Sequence, residues 1–315
     1  MTHTAGNAPK PTLLIALGGN ALIRKGQVGT SVEQFENLRL PIRQIAALSN
    51  TYNIIITHGN GPQVGNLLLQ QEACEKVPRL PLEILVAQTQ GQIGYMIESA
   101  LDEALMELGV EFRPLVSLIT YVVVDRADPA FASPSKPIGP CFSEIEAGAL
   151  DYPTMLTPKG YRRVVASPRP ITIIEKREIN QLIRAGFIVI CCGGGGIPVI
   201  RSGRAFSGVD AVIDKDLASA LLAQEVGVDT LVIATDIDGV MANFGKPDQR
   251  LIRRMNLDQA TRMLDGTELG AGSMRPKVEA GIWYAGQTGN RAVITSIAKI
   301  VDAVRGVAGT EIVCS

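Results

Sequence analysis

The sequence predicts an α/β protein, a three-layer αβα sandwich around a mainly parallel sheet with a protruding inserted subdomain. Three observations lead there. Short β-rich apolar runs alternate with helix-length stretches along nearly the whole chain, which is the rhythm of βαβ units. Apolar residues make up 46% of the chain and aromatics only 4%. The core must therefore be built from Val, Ile, Leu and Ala, as parallel strands covered by helices on both faces require. The alternation also fails in one stretch only, residues 125–170, within a length of 315 residues that suits one large domain.

Residues Thr12–Leu17 read as the first strand, ending in Gly18-Gly19-Asn20. Residues 33–48 read as a helix kinked or broken at Pro41, where a backbone donor is missing. Residues 53–57 form a second strand that ends in His58-Gly59-Asn60-Gly61. Helices follow near 64–75 and 82–108, and then a β-rich run over 115–124. The next stretch carries Pro129, Pro134, Pro137, Pro140, Pro153, Pro158, Pro168 and Pro170, so it cannot be one helix. It reads as short strands and loops, an inserted lid over 125–170 inside a single domain spanning 1–315. The alternation then resumes with a helix over 176–185 and a strand over 187–192 ending in Gly193-Gly194-Gly195-Gly196. A helix over 211–222 and a strand Thr230–Thr235 ending in Asp236 come next. Helices over 258–264 and 274–285, a strand over 291–295, a helix over 296–304 and a closing strand over 311–314 complete the chain.

Composition excludes several functions. The formal net charge is −1, so no basic field exists to bind nucleic acid by counterion release, and any phosphate site must be local. The cysteines, Cys74, Cys141, Cys191, Cys192 and Cys314, show no C-x-x-C spacing. They read as reduced, buried thiols of a cytoplasmic protein, the alternative being a vicinal redox pair at Cys191-Cys192. The polar start, Met1 to Lys10, lacks a signal-type apolar core, and no window approaches the ~18 apolar residues of a membrane span. A soluble, cytoplasmic protein without a membrane partner is expected. His3 and His58 are the only histidines, which rules out a multi-histidine zinc site and leaves a nucleophile–histidine triad only His58.

The glycine turns carry the chemistry. Carboxyl ends of parallel strands share one edge, where ligands bind. Gly18-Gly19-Asn20, His58 to Gly61, Gly193 to Gly196 and Asp236 should therefore converge. Bare peptide nitrogens approach an anion closely, and helix N-termini add positive potential. One such turn alone can be a mere tight connection; several at strand ends point to phosphate. None matches a Walker A pattern. In Val212-Ile213-Asp214-Lys215-Asp216 a lysine sits between two acids at a helix start. Positioned cations stabilise a loose phosphoryl transition state, so Lys215 fits that role, with Asp214 or Asp216 orienting it or holding Mg²⁺. The plainer alternative is a solvated helix surface with one ion pair. Ser273-Met274-Arg275-Pro276-Lys277 opens a later helix, where Ser273 can cap and Lys277 can reach a nucleotide phosphate, or simply stand exposed. Lys136, in Ser135-Lys136-Pro137-Ile138-Gly139-Pro140, is either a lid lysine that clamps an anion or a surface lysine on a stiff loop. His58 most simply hydrogen-bonds its turn into shape.

Several segments resemble the carbamate kinases. They are Ala16 to Ala21, Thr57 to Gly65, Gln90 to Tyr95, Ser135 to Pro140, Cys192 to Val199, Ala211 to Leu217, Gly245 to Gln249, Gly272 to Lys277 and Gly309-Thr310. The resemblance runs from about Leu13 to Val313. It implies the amino acid kinase fold, a homodimer, and the reversible reaction of ATP with carbamate to give ADP and carbamoyl phosphate, with Mg²⁺ held mainly by the nucleotide phosphates and no protein metal ligand. By position it implies that Gly18, Gly19, Asn20, His58, Gly59, Asn60, Gly61, Gly194 and Gly195 surround the phosphoryl and carbamoyl groups. Lys215, Lys136, Asp216 and Asp214 would be catalytic. Lys277, Ser273, Met274, Thr235, Asp236, Met241 and Phe244 would hold the nucleotide. Three positions depart from relatives: Leu17 replaces the lysine that many related kinases carry before the first Gly-Gly, Arg275 stands where a small residue is expected, and Met241 where an aromatic is common. Two other readings fit the same residues, a kinase of this fold with another carbamate or carboxylate acceptor, and a catalytically silent nucleotide-binding relative.

Overall fold

The computed structural model describes residues 10–110, 113–157, 160–266, 269 and 274–315. In chain order the first elements are β1 (Thr12–Leu17), α1 (Ser31–Leu48), β2 (Asn53–His58), α2 (Gly61–Glu72), α3 (Leu82–Glu107), β3 (Leu115–Ser117) and β4 (Tyr121–Val124). Then come β5 (Lys136–Phe142), α4 (Glu144–Gly148), β6 (Thr154–Thr157), β7 (Gly160–Val165) and β8 (Pro170–Ile173). The second half holds α5 (Lys176–Arg184), β9 (Ile188–Ile190), β10 (Ile197–Ser202), β11 (Ala205–Gly208), α6 (Lys215–Val226) and β12 (Thr230–Thr235). The chain ends with β13 (Met241–Ala242), β14 (Arg250–Leu251), β15 (Arg254–Asn256), α7 (Leu257–Asp265), α8 (Met274–Thr288), β16 (Arg291–Ser296), α9 (Ile300–Val304) and β17 (Thr310–Val313).

Side chains of β1 alternate between two apolar layers. Leu13, Ile15 and Leu17 pack with Leu38, Ile42, Ile97, Leu101 and Ile300 of α1, α3 and α9. Leu14 and Ala16 pack with Ile179, Leu222, Val278 and Tyr284 of α5, α6 and α8. A strand covered on both faces needs apolar side chains at every position, which is why these runs are continuous. Each fully buried aliphatic side chain contributes roughly 1.5–3 kcal/mol. Among the described residues, eight strands form this sheet in the order β15-β17-β16-β12-β1-β2-β9-β3. From β3 to β16 neighbours run parallel; β17 reverses against β16, with β15 parallel to it.

Three local expectations need correction. Helix α1 runs unbroken through Pro41, which is buried inside it. A capping box of Thr30 and Glu33 starts the helix two residues before the expected position, and apolar packing outweighs the single hydrogen bond that proline removes. The run 115–124 is two strands. Gln90 of α3 receives the Thr120 N–H (2.9 Å) and donates to the Thr120 carbonyl (3.3 Å), bending the chain out of the main sheet. Strand β4 then joins a second sheet, β11-β10-β4-β8. Third, the helix expected from 211 begins only at Lys215, because Asp214 is its cap. Of the cysteines, all free, only Cys191 and Cys192 are buried; Cys141 and Cys314 are exposed, since each lies near the end of a half-covered strand.

Residues between β4 and β8 build a separate antiparallel sheet, β5-β7-β6. It rests on α2 through a glycine pair: a methyl group on Gly65 would lie 1.9 Å from the Gly139 α-carbon. Arg162 donates twice to the Gly139 carbonyl (3.0 and 2.6 Å), and Arg163 pairs with Glu72 of α2 at 2.5 Å.

Candidate active site

Asp214 precedes α6 in extended conformation, and its Oδ1 accepts the N–H groups of Asp216 (2.8 Å) and Leu217 (3.4 Å). Such a cap is worth about 1 kcal/mol and points the first turn of the helix, with Lys215 and Asp216, at the carboxyl edge of the sheet. Lys215 contacts Asp216 Oδ1, and Lys277, from the first turn of α8, reaches Asp216 Oδ2 at 3.0 Å. One carboxylate thus holds two lysines from two helices. Lys277 is 6% exposed and Asp216 3%, so neither lysine is the solvated surface group that the plainer reading allowed. The third lysine, Lys136 of β5, contacts Asp214 Oδ2.

The electrostatics follow from burial and pairing. Burial would raise the Asp216 carboxyl, but Lys215 and Lys277 overcome it and hold Asp216 far below the usual carboxylate range. Burial also opposes charge on Lys277; Asp216 more than offsets this and raises it above an ordinary lysine. For Lys215 burial wins, aided by repulsion from Lys277, and its pKa falls despite Asp216.

The glycine turns meet this cluster. A methyl group on Gly59 would lie 3.5 Å from Lys215 Cδ and 3.6 Å from the Gly19 nitrogen, so the first two turns and the lysine are neighbours. Gly18 donates to the Ala234 carbonyl at 2.9 Å, and a β-carbon there would approach that oxygen to 2.9 Å. Asn60 is buried and donates to Thr89 Oγ1 at 2.8 Å, just before α2 begins at Gly61. Asn20 is half-buried in the short turn after Gly18. The N-termini of α2, α6 and α8 all open here, adding partial positive charge.

Gly194 and Gly195 occupy a different place. Both are buried with φ of 66° and 91°, and β-carbons would come within 2.2 Å of Asn60 Nδ2 and 2.3 Å of the Ile213 carbonyl oxygen. Their lack of side chains is required by contact with the two elements that carry Asn60 and Lys215. His58 is buried, and its Nδ1–H donates to the Gly59 carbonyl at 3.1 Å. Burial pushes its pKa down to about 4, with Lys215 adding to the effect, so it is a neutral support for the turn.

Of the residues expected at the nucleotide, Thr235 is buried at the end of β12 and donates to Asp236 Oδ1 at 3.1 Å; the Asp236 charge is felt by Lys277. Met274 begins α8 and is half-buried. Met241 lies in the β13–β14 hairpin, and Phe244 stands 64% exposed in the loop between those strands. Ser273 lies outside the described residues. Arg275 turns to the Leu264 carbonyl (2.5 Å) at the end of α7. Leu17 is buried against the α1–α3 layer, so no charge stands at that position. Among the described residues no group of three or more His, Cys, Asp or Glu side chains is gathered to hold a metal ion, and no helix is long and apolar enough to cross a membrane.

Sequence reasoning missed the supports. Ser219 donates to the Lys215 carbonyl (2.6 Å), so Thr57 donates to Ser219 (2.7 Å), tying β2 to α6 inside the core. Gln90 ties α3 to the third turn through the Gly193 carbonyl (3.2 Å). Thr57 and Gln90 open segments that resemble the carbamate kinases, but nothing local in the sequence names their partners.

The family model described as amino acid kinase family matches residues 11–296. The carbamate kinase of Thermococcus kodakarensis is 45% identical over 311 residues, covering 96% of this chain and 98% of the relative. The carbamate kinase of Haemophilus influenzae is 45% identical over 308 residues, 95% of this chain and 96% of the relative. Among solved structures, carbamate kinase from Giardia lamblia bound to citric acid superposes with a TM-score of 0.91 at 37% identity, covering 96% of this chain and 98% of that one. The same enzyme bound to AMP-PNP gives 0.87 at 38% identity, with 96% and 98% covered.

Proposed function

We infer the reaction from one premise: the chain belongs to the amino acid kinase family, among its carbamate kinases. It is a phosphotransferase that moves a phosphoryl group reversibly between ATP and carbamate, with ADP and carbamoyl phosphate as the other pair. The observation that carries the assignment is the buried Asp216 carboxylate shared by Lys215 and Lys277 beside the first two glycine turns. Two fixed cations and several peptide N–H groups at one rim suit a migrating phosphoryl group, whose charge is spread over its outer oxygens.

In the ATP-forming direction a β-phosphate oxygen of ADP attacks the phosphorus of carbamoyl phosphate. The bond from phosphorus to the carbamoyl oxygen breaks, and carbamate leaves with the electron pair. No proton need move, which agrees with a His58 that is buried and neutral. No side chain forms a covalent intermediate; positioning and electrostatics supply the rate. Lys215 would hold the migrating group and Lys277 the nucleotide phosphates. Gly18, Gly19, Asn20, Gly59, Asn60 and Gly61 would hold the acceptor side, with Thr235, Asp236, Met241 and Met274 toward the nucleoside. Mg²⁺ would enter on the nucleotide phosphates. The oxygens of Asp214 and Asp216 are already engaged, by lysines and by the α6 cap, which fits a metal that the substrate carries. Carbamoyl phosphate is a mixed carboxylic–phosphoric anhydride, a stronger phosphoryl donor than the phosphoric anhydride of ATP, so ATP formation is the favoured direction. A cytoplasmic homodimer accompanies this reading, and light scattering checks the dimer.

The test is a coupled assay for ATP from carbamoyl phosphate and MgADP. Wild type should produce ATP, and Lys215→Ala should lose at least about 10³-fold in kcat while staying folded, in line with removal of a preorganised charge. Normal turnover by that variant would refute the role of Lys215. A panel of other carboxylates and carbamates under MgATP separates a different acceptor from carbamate.

A further inference from the structure

The two oxygens of Asp214 do different things. Oδ1 caps α6, the helix that begins with Lys215. Oδ2 holds Lys136, which belongs to the separate sheet of β5, β6 and β7. Along β5 that sheet meets the main body at Lys136 on Asp214, at Ile138, buried in an apolar cluster with Val64 and Leu85, and at Gly139 on Gly65. The glycine contact is backbone on backbone and carries no charge. The lysine contact is ionic, with side-chain exposures of 35% for Lys136 and 12% for Asp214, so water and solutes reach it more easily than the Lys215–Asp216–Lys277 group beside it.

We propose that Asp214 is a positioning residue, a latch that holds the Lys136 ammonium over the site before substrate arrives. This rests on the phosphoryl-transfer reading of the same site. A lysine on the small sheet loses rotamer freedom whenever it meets an anion, and a fixed partner removes that cost before the reaction begins. Asp214 is suited to this because the helix cap locks its own side chain. The phosphoryl group then shares a cation already in place. In the ground state, loss of the Asp214 charge also removes a repulsion against an incoming phosphate. Loss of the latch should therefore lower kcat and leave KM for carbamoyl phosphate unraised.

Asp214→Asn tests this, because asparagine caps a helix as well as aspartate does. Thermal melting and steady-state kinetics with carbamoyl phosphate and MgADP are measured on wild type, D214N, K136M and the double variant. Labelling of Lys136 by acetic anhydride, read by mass spectrometry without substrate, is measured on wild type and D214N. In D214N we expect at least a threefold rise in Lys136 labelling, a kcat at least tenfold lower, an unraised KM, and a melting point within a few degrees of wild type. In the K136M background, D214N should cost no more than a further twofold. Unchanged labelling of Lys136 in a folded D214N overturns the latch, and so do fully multiplied losses in the double variant. Should D214N fail to fold, D214S keeps a capping oxygen without the charge, and the same outcomes apply. A wild-type protein that makes no ATP but whose Lys136 is exposed by D214N would refute the assigned reaction and leave the latch standing.

Discussion

The carboxyl edge of the main sheet and the small sheet of β5, β6 and β7 both bring lysines to one place, by opposite means. Lys215 and Lys277 are held in the core by a carboxylate that is 3% exposed, on helices packed against the sheet. Lys136 arrives from a sheet that meets the main body through a glycine pair, buried Ile138, the partly open Lys136–Asp214 pair and the Arg163–Glu72 bridge, whose side chains are 26% and 30% exposed. Buried charges are costly unless paired, and once paired they are rigid. Partly exposed pairs are weak and can exchange partners with an incoming anion. The core therefore supplies fixed charge and the insert supplies charge that can be exchanged.

Four substitutions would break or sharpen that contrast, from the largest expected effect down. Asp216→Ala leaves Lys215 and Lys277 buried without their carboxylate, and should cost about 3–5 kcal/mol in a denaturant melt together with activity. A loss below 1 kcal/mol would show that the buried cluster is not a paired unit. Next is the buried histidine. Its native pKa, about 4, lies below the ordinary value of 6.5. The unfolded chain therefore binds a proton more readily, and stability is complete above pH 6.5 and falls as pH drops toward 4. The loss should reach roughly 3 kcal/mol by pH 4. His58→Gln should flatten this component of the pH profile, measured by urea midpoints against pH; an unchanged profile would contradict burial of a neutral ring.

Third, Gly65→Ala puts a methyl group 1.9 Å from the Gly139 α-carbon. Backbone must yield, and the small sheet should shift from α2 at a cost of about 1–3 kcal/mol. Limited proteolysis within 136–165 should quicken several-fold while the main melting transition moves little. Equal protection would mean that the small sheet adjusts without undocking. Last, Arg163→Ala removes the bridge to Glu72 and should cost about 1 kcal/mol or less, read by the same proteolysis. A larger loss would place this bridge with the core pairs.

Much of the fold was legible in the sequence because the strands are covered on both faces. The runs at Leu13 to Leu17, Ile54 to Thr57 and Leu231 to Thr235 have no polar alternation to confuse their assignment. Pro41 misled because a local rule was applied where tertiary contacts dominate, and the run through 115–124 misled because the residue that divides it, Gln90, is about thirty positions away. At the site, the types and spacing of Lys215, Lys277 and the glycine turns were legible, but the grouping was not. Nothing local says that Asp216 serves both lysines, or that Gly194 exists to admit Asn60.

Periodicity, caps and glycine turns are written in near neighbours, so the chain by itself determined which segments are strands and helices and that strand ends carry anion-friendly turns. Which charges share a partner depends on elements more than sixty residues apart, as with Asp216 and Lys277 or Lys136 and Asp214. Pairing energies act over a few ångströms in space, and sequence distance says nothing about that length, so only the packed structure decided that one carboxylate fixes two lysines and another holds the third.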